Sequence, residues 1–337
     1  MRIDVILDAR APAAELAALA RLAEAQGLGG IWVSSLNDSR DPWANLVPAA
    51  QATAHIGLGP IAVNPYDTHP LKIAAGLLTL NELAGGRARI VVGGGGEALQ
   101  ALGLEPRRRV RAVREAVGII RSAASGEAVA CGGEMFEAQH CRFGWATASA
   151  PPLYVAAGQP QMLRMAAGVA DGIMMSDMPA AAAAGLIDTL DAALADAGKS
   201  RDDGFWTSVF TAWHVGADAT AMRHEARRWL YLRGIFRPWL LAGFLEPADV
   251  ERVMASRAAF ARAFMAGEHR VEGVPEALLD VLVGQLTLCG TPATLDQLVD
   301  KLHRLHAAGL SSVALRLYAD PAGSIRLIGE RVLPALR

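Results

Sequence analysis

The chain alternates between short apolar runs and longer amphipathic segments from its first residues onward. Arg2–Leu7 is typical of a buried strand, and Ala13–Gln26 follows with Leu16 and Leu19 at helical spacing before Gly27. The strands predicted in this way are Arg2–Leu7, Gly30–Ser34, Ile56–Val63, Ala88–Val92, Leu153–Ala157, Gly172–Ser176, Phe205–Val215 and Val313–Tyr318. Each is followed by a segment with helical periodicity.

Strands that alternate with helices indicate a parallel sheet, and eight such units favour a closed (β/α)8 TIM barrel of the α/β class. An open dinucleotide-binding sheet would place GxGxxG after the first strand, and Leu7–Ala11 does not supply it. Two segments depart from the alternation. Residues 126–145 indicate a hairpin excursion after the fourth helix, and residues 216–290 a helical insertion between strands seven and eight. We predict one domain over 1–337, with the insertion as a lid or pocket wall.

Composition narrows the class of protein further. Hydrophobic residues make up 52% of the 337 residues and the net charge is -2, which gives no reason to expect a nucleic-acid partner. Three scattered cysteines exclude a disulfide framework and a CxxC zinc motif, and we predict no metal site. The N-terminus shows no apolar leader and no uncharged run is long enough for a membrane helix, so we expect a cytoplasmic protein.

The active site of such a barrel lies at the carboxyl ends of its strands, so the candidate site residues are confined to the loops that follow the strands. Four glycines, 93–96, follow the fourth strand, and such a run permits close approach of a flat ring or of another chain segment. Gly158–Gln161 opens a helix and offers backbone N–H groups to a phosphate, or is an ordinary helix start with proline. Asp38 is either a site carboxylate or a helix cap, and the Asn64 loop is either functional or an ordinary turn.

Two longer segments carry a family resemblance. Residues 56–70 (IGLGPIAVNPYDTHP) and 80–96 (LNELAGGRARIVVGGGG) resemble the luciferase-like monooxygenase superfamily. The NPYxxHP segment is similar to its deazaflavin branch, whose enzymes use coenzyme F420. The resemblance covers roughly residues 1–215 and the last 45. It implies an F420-dependent oxidoreductase that transfers a hydride between the deazaflavin and a small organic substrate.

The resemblance also implies where the cofactor would bind. The ring would lie over the barrel mouth against strand three, where relatives carry a non-prolyl cis peptide; this would fall near Ile61–Val63. Its phosphate would lie on the loops after strands five and six. The cofactor residues implied are Ile61, Ala62, Val63, Asn64, Gly93, Gly94, Gly95, Gly158, Gln159, Pro160, Gln161, Ser176, Asp177 and Met178. Glu97 and Asp38 are the implied proton-handling groups, and His214, at the end of strand seven, is a third option from its position.

Two positions depart from the pattern of relatives. Methanopterin reductases carry glutamate where Ile6 stands, which argues against a methanopterin substrate. Many relatives have Gly-x-Gly-Asp after strand four, whereas this chain ends its glycine run with Glu97. An FMN-dependent monooxygenase is the alternative enzyme, and a barrel without cofactor, using its insertion as an interaction surface, is the non-enzymatic one. The resemblance further implies a homodimer.

Overall fold

Eight parallel strands follow one another around the main path of a single sheet, in the order β3-β2-β1-β11-β9-β8-β7-β4. The computed structural model describes residues 1–146 and 148–337, with the backbone alone at Glu97 and Ala98. The strands are β1 Arg2–Leu7, β2 Gly30–Ser34, β3 Gly57–Ile61, β4 Ile90–Val92, β5 Ala128–Gly132, β6 Glu137–Arg142, β7 Leu153–Ala156, β8 Gly172–Ser176, β9 Trp206–Val215, β10 Thr287–Gly290 and β11 Ser312–Leu317.

Helices alternate with these strands and surround the sheet. They are α1 Ala13–Ala25, α2 Pro42–Ala52, α3 Pro70–Leu83, α4 Arg109–Ala124, α5 Pro160–Val169, α6 Ala180–Asp196, α7 Ala219–Trp229, α8 Pro238–Leu241, α9 Pro247–Ala255, α10 Arg257–Ala266, α11 Glu276–Leu286, α12 Leu295–Ala307, α13 Pro321–Leu327 and α14 Leu333–Ala335. Within the described ranges none of them combines the length and apolar character needed to cross a bilayer.

Strands β3 and β4 close the barrel. The Leu58 N–H donates to the Arg87 carbonyl and the Arg89 N–H donates to the Leu58 carbonyl, at 3.2 and 3.0 Å. Further along, the Val63 N–H donates to Val91 at 3.0 Å. The prediction of a (β/α)8 barrel is therefore confirmed, because closure of a parallel sheet with helical crossovers is what defines that fold.

The barrel strands bury both faces, as strands of a covered parallel sheet must. On β1, Ile3, Val5 and Leu7 point outward into the main core beneath the helices. Ile6 points inward, where it packs with one or two residues of each of the other barrel strands. This inner cluster consists of Ile6, Trp32, Ile61, Val91, Tyr154, Met174 and Ala314, with Ala62, Ala156, Trp206 and Phe210 against it. It fills the barrel and forms the base of the site.

The two predicted excursions are both present. Strands β5 and β6 form an antiparallel hairpin after α4, which confirms that expectation. Helices α7–α11 lie between β9 and β11, as predicted, but residues 287–290 are strand, not helix. Thr287 pairs with Ala212 of β9 in parallel register. The sequence prediction missed this strand because four residues are too few to establish a period.

Candidate active site

A cavity of about 670 Å³ opens at the carboxyl ends of the barrel strands. Its base consists of inward-facing side chains of the barrel: Ile6, Ile61, Val91, Met174 and Phe210. A volume of this size is typical of a site for a small molecule or a cofactor, and an apolar base with polar groups at the rim is the usual chemistry of such sites. The position agrees with the general rule for (β/α)8 barrels.

The helical insertion provides the opposite wall of this cavity. Glu225, Arg228 and Trp229 of α7 line it, together with Leu232 and with Phe264 of α10. Trp229 and Phe264 contact each other edge to face, with ring centroids 5.4 Å apart. The insertion therefore contributes both a carboxylate and an aromatic surface to the space above the barrel.

At the end of β3, only some of the residues that the family resemblance implied as cofactor contacts reach the cavity. Ile61 and Ala62 line the cavity, but Val63 is buried in the outer core. The Asn64 side chain is engaged in its own turn, where its Oδ1 accepts from the Tyr66 N–H at 3.0 Å. The resemblance also implied a cis peptide here, and this prediction is wrong, because no peptide bond within the described residues is cis. With trans peptide bonds, Ile61 pairs with Ser34 of β2, and the Val63 N–H donates to the Val91 carbonyl of β4.

The glycine run after β4 lies between the cavity and the outer surface. A Cβ placed on Gly93 would lie 3.2 Å from that of Ala62 and 3.6 Å from that of Ala156, both of which line the cavity. A Cβ on Gly94 would lie 3.3 Å from that of Arg109. Gly95 has φ +72°, a conformation that favours glycine. A side chain at either of the first two glycines would therefore press on its neighbours, and the third glycine allows the turn.

The loop after β7 leads directly into α5. Gln159 is the extended N-cap residue, with Pro160 following it and no side-chain cap on the helix. Among the described side chains none caps the first N–H groups of α5, which is the arrangement that suits an anion. Gly158 faces Met178, to which a Cβ at Gly158 would come within 3.7 Å.

The loop after β8 contains a buried ion pair. Asp177 is 1% exposed and lies 3.4 Å from an Arg233 nitrogen, while the Ser176 hydroxyl donates to it at 2.9 Å. Burial raises the pKa of Asp177, although Arg233 and Arg237 act in the opposite direction. Ser176 lines the cavity, whereas Met178 belongs to the hydrophobic core. Of the three residues predicted here, Ser176 alone reaches the cavity.

Asp38 lies at the rim of the cavity in an ion pair. Arg10 donates to both of its carboxylate oxygens, at 2.9 and 2.7 Å. These hydrogen bonds hold the pKa of Asp38 below its usual value. The carboxylate is largely exposed and stays ionised at neutral pH, so it is suited to accept a proton or orient a ligand rather than to donate a proton.

His214 is buried behind the cavity rather than in it. Its Nδ1 lies 3.1 Å from Oε2 of Glu225, and its ring stacks on Tyr318 at a centroid distance of 4.8 Å. Burial lowers the pKa of His214. A neutral ring beside a carboxylate places its single proton on Nδ1, because that is the nitrogen that donates to Glu225. Glu225, whose side chain is 23% exposed, is the member of the pair that faces the cavity.

Glu97 was predicted, with Asp38, as a proton-handling carboxylate, and its side chain lies outside the described residues. The structure adds groups that the sequence reasoning missed, namely Glu225, Arg233, Arg316 and Tyr318. Arg316 and Tyr318 lie at the end of β11, so the strand-end rule applied to the eighth strand would have found them. Glu225 and Arg233 lie in the insertion, where no motif marks them. Among the described side chains no group of three His, Cys, Asp or Glu is placed to hold a metal ion.

The barrel and the cavity at the carboxyl ends of its strands are together typical of enzymes that bind a small molecule or cofactor at the barrel mouth. Residues 1–312 match the sequence profile of the family described as Luciferase-like monooxygenase, and the chain belongs to that family. The membership that the two sequence segments indicated is thereby confirmed.

Individual relatives extend this finding. The chain is 31% identical over 333 residues to a 5,10-methylenetetrahydromethanopterin reductase of Archaeoglobus fulgidus, with 96% of each chain covered. It is 34% identical over 175 residues to an F420-dependent glucose-6-phosphate dehydrogenase of Kineococcus radiotolerans, covering 47% of this chain and 51% of that one. A coenzyme F420-dependent tetrahydromethanopterin reductase structure from Methanopyrus kandleri shares the fold, with TM-score 0.81 and 22% identity over 100% of this chain and 99% of that one.

Proposed function

We propose that this protein is an F420-dependent oxidoreductase that moves a hydride between the deazaflavin and a small organic substrate. The observation that carries the proposal is the cavity itself, whose apolar base adjoins a glycine run at the barrel mouth. The relatives named above, a reductase and an F420-dependent dehydrogenase, support the same class of reaction. When bound, the deazaflavin supplies a hydride donor or acceptor that reacts little with oxygen.

The residues present fit such a group. Ile61 and Ala62 offer an apolar surface for one face of the ring, and Gly93 packs behind Ala62 and Ala156 without a side chain that would push them into the cavity. The uncapped N-terminus of α5 would receive the phosphate. A bulky side chain at Gly93 would press on these two alanines. In the native protein the ring would share the cavity with a substrate that lies against the insertion.

Glu225 is the group we propose to exchange a proton with the substrate. Reduction of a carbonyl or imine requires a proton at the heteroatom, and oxidation of an alcohol requires its removal. Glu225 lines the cavity and is held in place by His214 at 3.1 Å. His214 thus becomes a positioning residue rather than the proton-transferring group. Asp38 and Glu97 remain proposals as further polar groups near the ring.

The substrate is proposed to differ from the methanopterin of the archaeal relative. Ile6 is 1% exposed at the base of the cavity, and the resemblance places a glutamate there in methanopterin reductases. Arg228 and Arg233 on the insertion side provide positive charge above the apolar base. Screening F420-dependent turnover against cyclic imines, alcohols and enones would identify the reacting class of compound.

The second candidate function is an FMN-dependent monooxygenase on the same barrel, which the family name favours. Titration of the purified protein with F420 and with FMN, followed by fluorescence quenching, separates the two. We expect saturable F420 binding and weaker FMN binding. Tight FMN binding without F420 binding would favour the FMN-dependent monooxygenase. Binding of neither cofactor would favour a barrel without cofactor whose insertion is an interaction surface.

We further propose a cytoplasmic homodimer. The support is the family resemblance, which implies contact through the helices after the second and third strands, here α2 and α3. Light scattering on the purified protein measures the mass in solution, and a value of one chain at micromolar concentration would contradict the dimer.

A further inference from the structure

A second, more exposed cleft of about 970 Å³ lies on the outer surface between α4 and α5. Five arginines line it: Arg108, Arg109, Arg111, Arg114 and Arg164. Gln161, in the first turn of α5, lies in the same lining. None of these arginines belongs to the cavity above the barrel, so their charge needs a separate explanation.

The positive charge of this cleft is only partly compensated. Arg108 and Arg111 both pair with Glu134 of the turn between β5 and β6. Arg109, Arg114 and Arg164 form no ion pair with any carboxylate among the described side chains, which exclude Glu97. Three like charges without partners on two neighbouring helices repel one another, so the arrangement favours an anionic ligand over an empty cleft.

The cleft begins where the cavity ends. Gly93 adjoins Ala62 and Ala156 of the cavity lining, and the next residue, Gly94, lies against Arg109 of the cleft. Gln161 lies in the first turn of α5, at the helix end proposed for the phosphate. An elongated ligand seated with its ring in the cavity would therefore cross the two glycines and emerge among the arginines.

We propose that this cleft binds the anionic extension of the cofactor, a phosphodiester followed by a chain of glutamyl carboxylates. The inference rests on the proposed use of F420 and adds to it a role for arginines outside the cavity. Several carboxylates in series match several unpaired guanidinium groups, and each pairing is a charge-assisted hydrogen bond. FMN, with a single phosphate, would leave most of this charge unmatched.

The test compares three ligands by quenching of deazaflavin fluorescence. These are the deazariboflavin precursor without phosphate, F420 with one or two glutamates, and F420 with five or more. Wild-type protein is expected to bind longer tails more tightly, with an advantage that shrinks as salt is added. The triple variant R109Q/R114Q/R164Q is expected to bind the longest tail about tenfold less tightly. This loss follows if each of the three arginines contributes about half of the largest effect that is usual for an exposed charge pair.

Two controls keep the outcomes distinct. The triple variant should bind the precursor as wild type does, and R21Q, which removes an exposed arginine from α1, should leave all affinities unchanged. Equal affinity of wild type for the precursor and for long-tailed F420, or an unchanged long-tail affinity in the triple variant, would overturn the inference alone. Binding of none of the three ligands would overturn the proposed cofactor as well.

Discussion

At the scale of single residues, the pair His214–Glu225 changes what the sequence indicated. Position at the end of a strand predicted His214 as a proton-handling residue, and the strand is indeed there. The ring, however, faces Glu225 and Tyr318 rather than the cavity. Sequence position locates a residue along a strand, but whether its side chain reaches a ligand depends on which elements pack over it.

We expect E225Q to lower kcat/KM by about a hundredfold, since general acid–base catalysis typically contributes a factor of this order or more. The amide retains the shape of the side chain but cannot exchange the proton. Steady-state rates over pH, with F420 and the best substrate of the screen, measure the effect. The pH dependence due to this group should disappear while F420 affinity is unchanged.

The matched variant is H214N, which leaves Glu225 in the cavity but removes the imidazole that holds it. We expect a smaller loss of rate with an altered pH profile. Full activity and an unchanged pH profile in E225Q would exclude Glu225 as the proton-exchanging group.

Burial of His214 also predicts a pH-dependent stability. Its pKa in the folded protein lies below the ordinary value of about 6.5, so as pH falls through that value the unfolded chain takes up a proton that the folded protein does not. Wild type should therefore lose stability below pH 6.5, relative to H214Q, by up to about 1.4 kcal/mol per pH unit until the folded-state pKa is reached. Urea unfolding of both proteins between pH 7 and 5 measures this difference, and parallel curves would contradict it.

At the scale of elements, barrel closure depends on one glycine of β3. A Cβ on Gly59 would lie 1.7 Å from the Arg89 carbonyl oxygen, which is backbone and cannot move aside without separating the strands. We expect G59A to destabilise the protein by more than about 3 kcal/mol or to prevent folding, because the clash is with the closing strand itself.

The matched control is G118A, at a helical position of α4 where a Cβ meets nothing within 4 Å. Alanine there should stabilise the protein by roughly 0.5–1 kcal/mol, through helix propensity. Thermal unfolding of both variants measures the contrast. A G59A protein as stable as wild type would show that β3 and β4 are not in close contact.

Several elements could be predicted from sequence, and the exceptions have physical reasons. Strands β1 and β8 were predicted at their observed bounds because each is a short, mainly apolar run followed by an aspartate. The third strand was predicted to run to Val63, but regular pairing ends at Ile61, where the alternation of faces breaks because Ile61 and Ala62 both line the cavity. Strand β10 was missed because it has no period of its own and exists only by pairing with β9.

At the scale of the whole molecule, the end of the barrel opposite the cavity contains a buried charge pair. Asp4 accepts hydrogen bonds from the Trp32 indole at 2.9 Å and from Arg89 at 3.1 Å, and both charged side chains are almost fully buried. A Cβ at Gly30 or Gly57 would occupy the space of the Arg89 side chain. These residues are far apart in sequence, so no local pattern could predict them.

We expect D4N to destabilise the protein by about 3 kcal/mol, because it leaves the Arg89 guanidinium buried without a carboxylate. The matched control is D300N on α12, where the side chain is exposed and the change should stay within about 0.5 kcal/mol. Urea unfolding at pH 7 measures both. Equal stability of D4N and D300N would mean that the pair contributes nothing to the barrel.

The active site as a whole was predicted in position but not in composition. Ile61 and Ala62, which the family resemblance implied, and Asp38 and Ser176, which follow strand ends, all line the cavity. Sequence alone could not indicate that Val63, Asn64 and Asp177 turn toward the protein, because that depends on the local hydrogen bonds each of them makes. It also could not find Glu225, which reaches the cavity from an insertion without a recognisable motif.

The choice of cofactor decides which reaction the protein catalyses, and direct titration tests that choice. Purified protein is titrated with F420 and, separately, with FMN under identical conditions while ligand fluorescence is followed. We expect saturable binding of F420, weaker binding of FMN, and loss of F420 affinity when Gly93 is replaced by valine, since the side chain would press on Ala62 and Ala156, which line the cavity. Tight binding of FMN together with no binding of F420 would contradict this prediction.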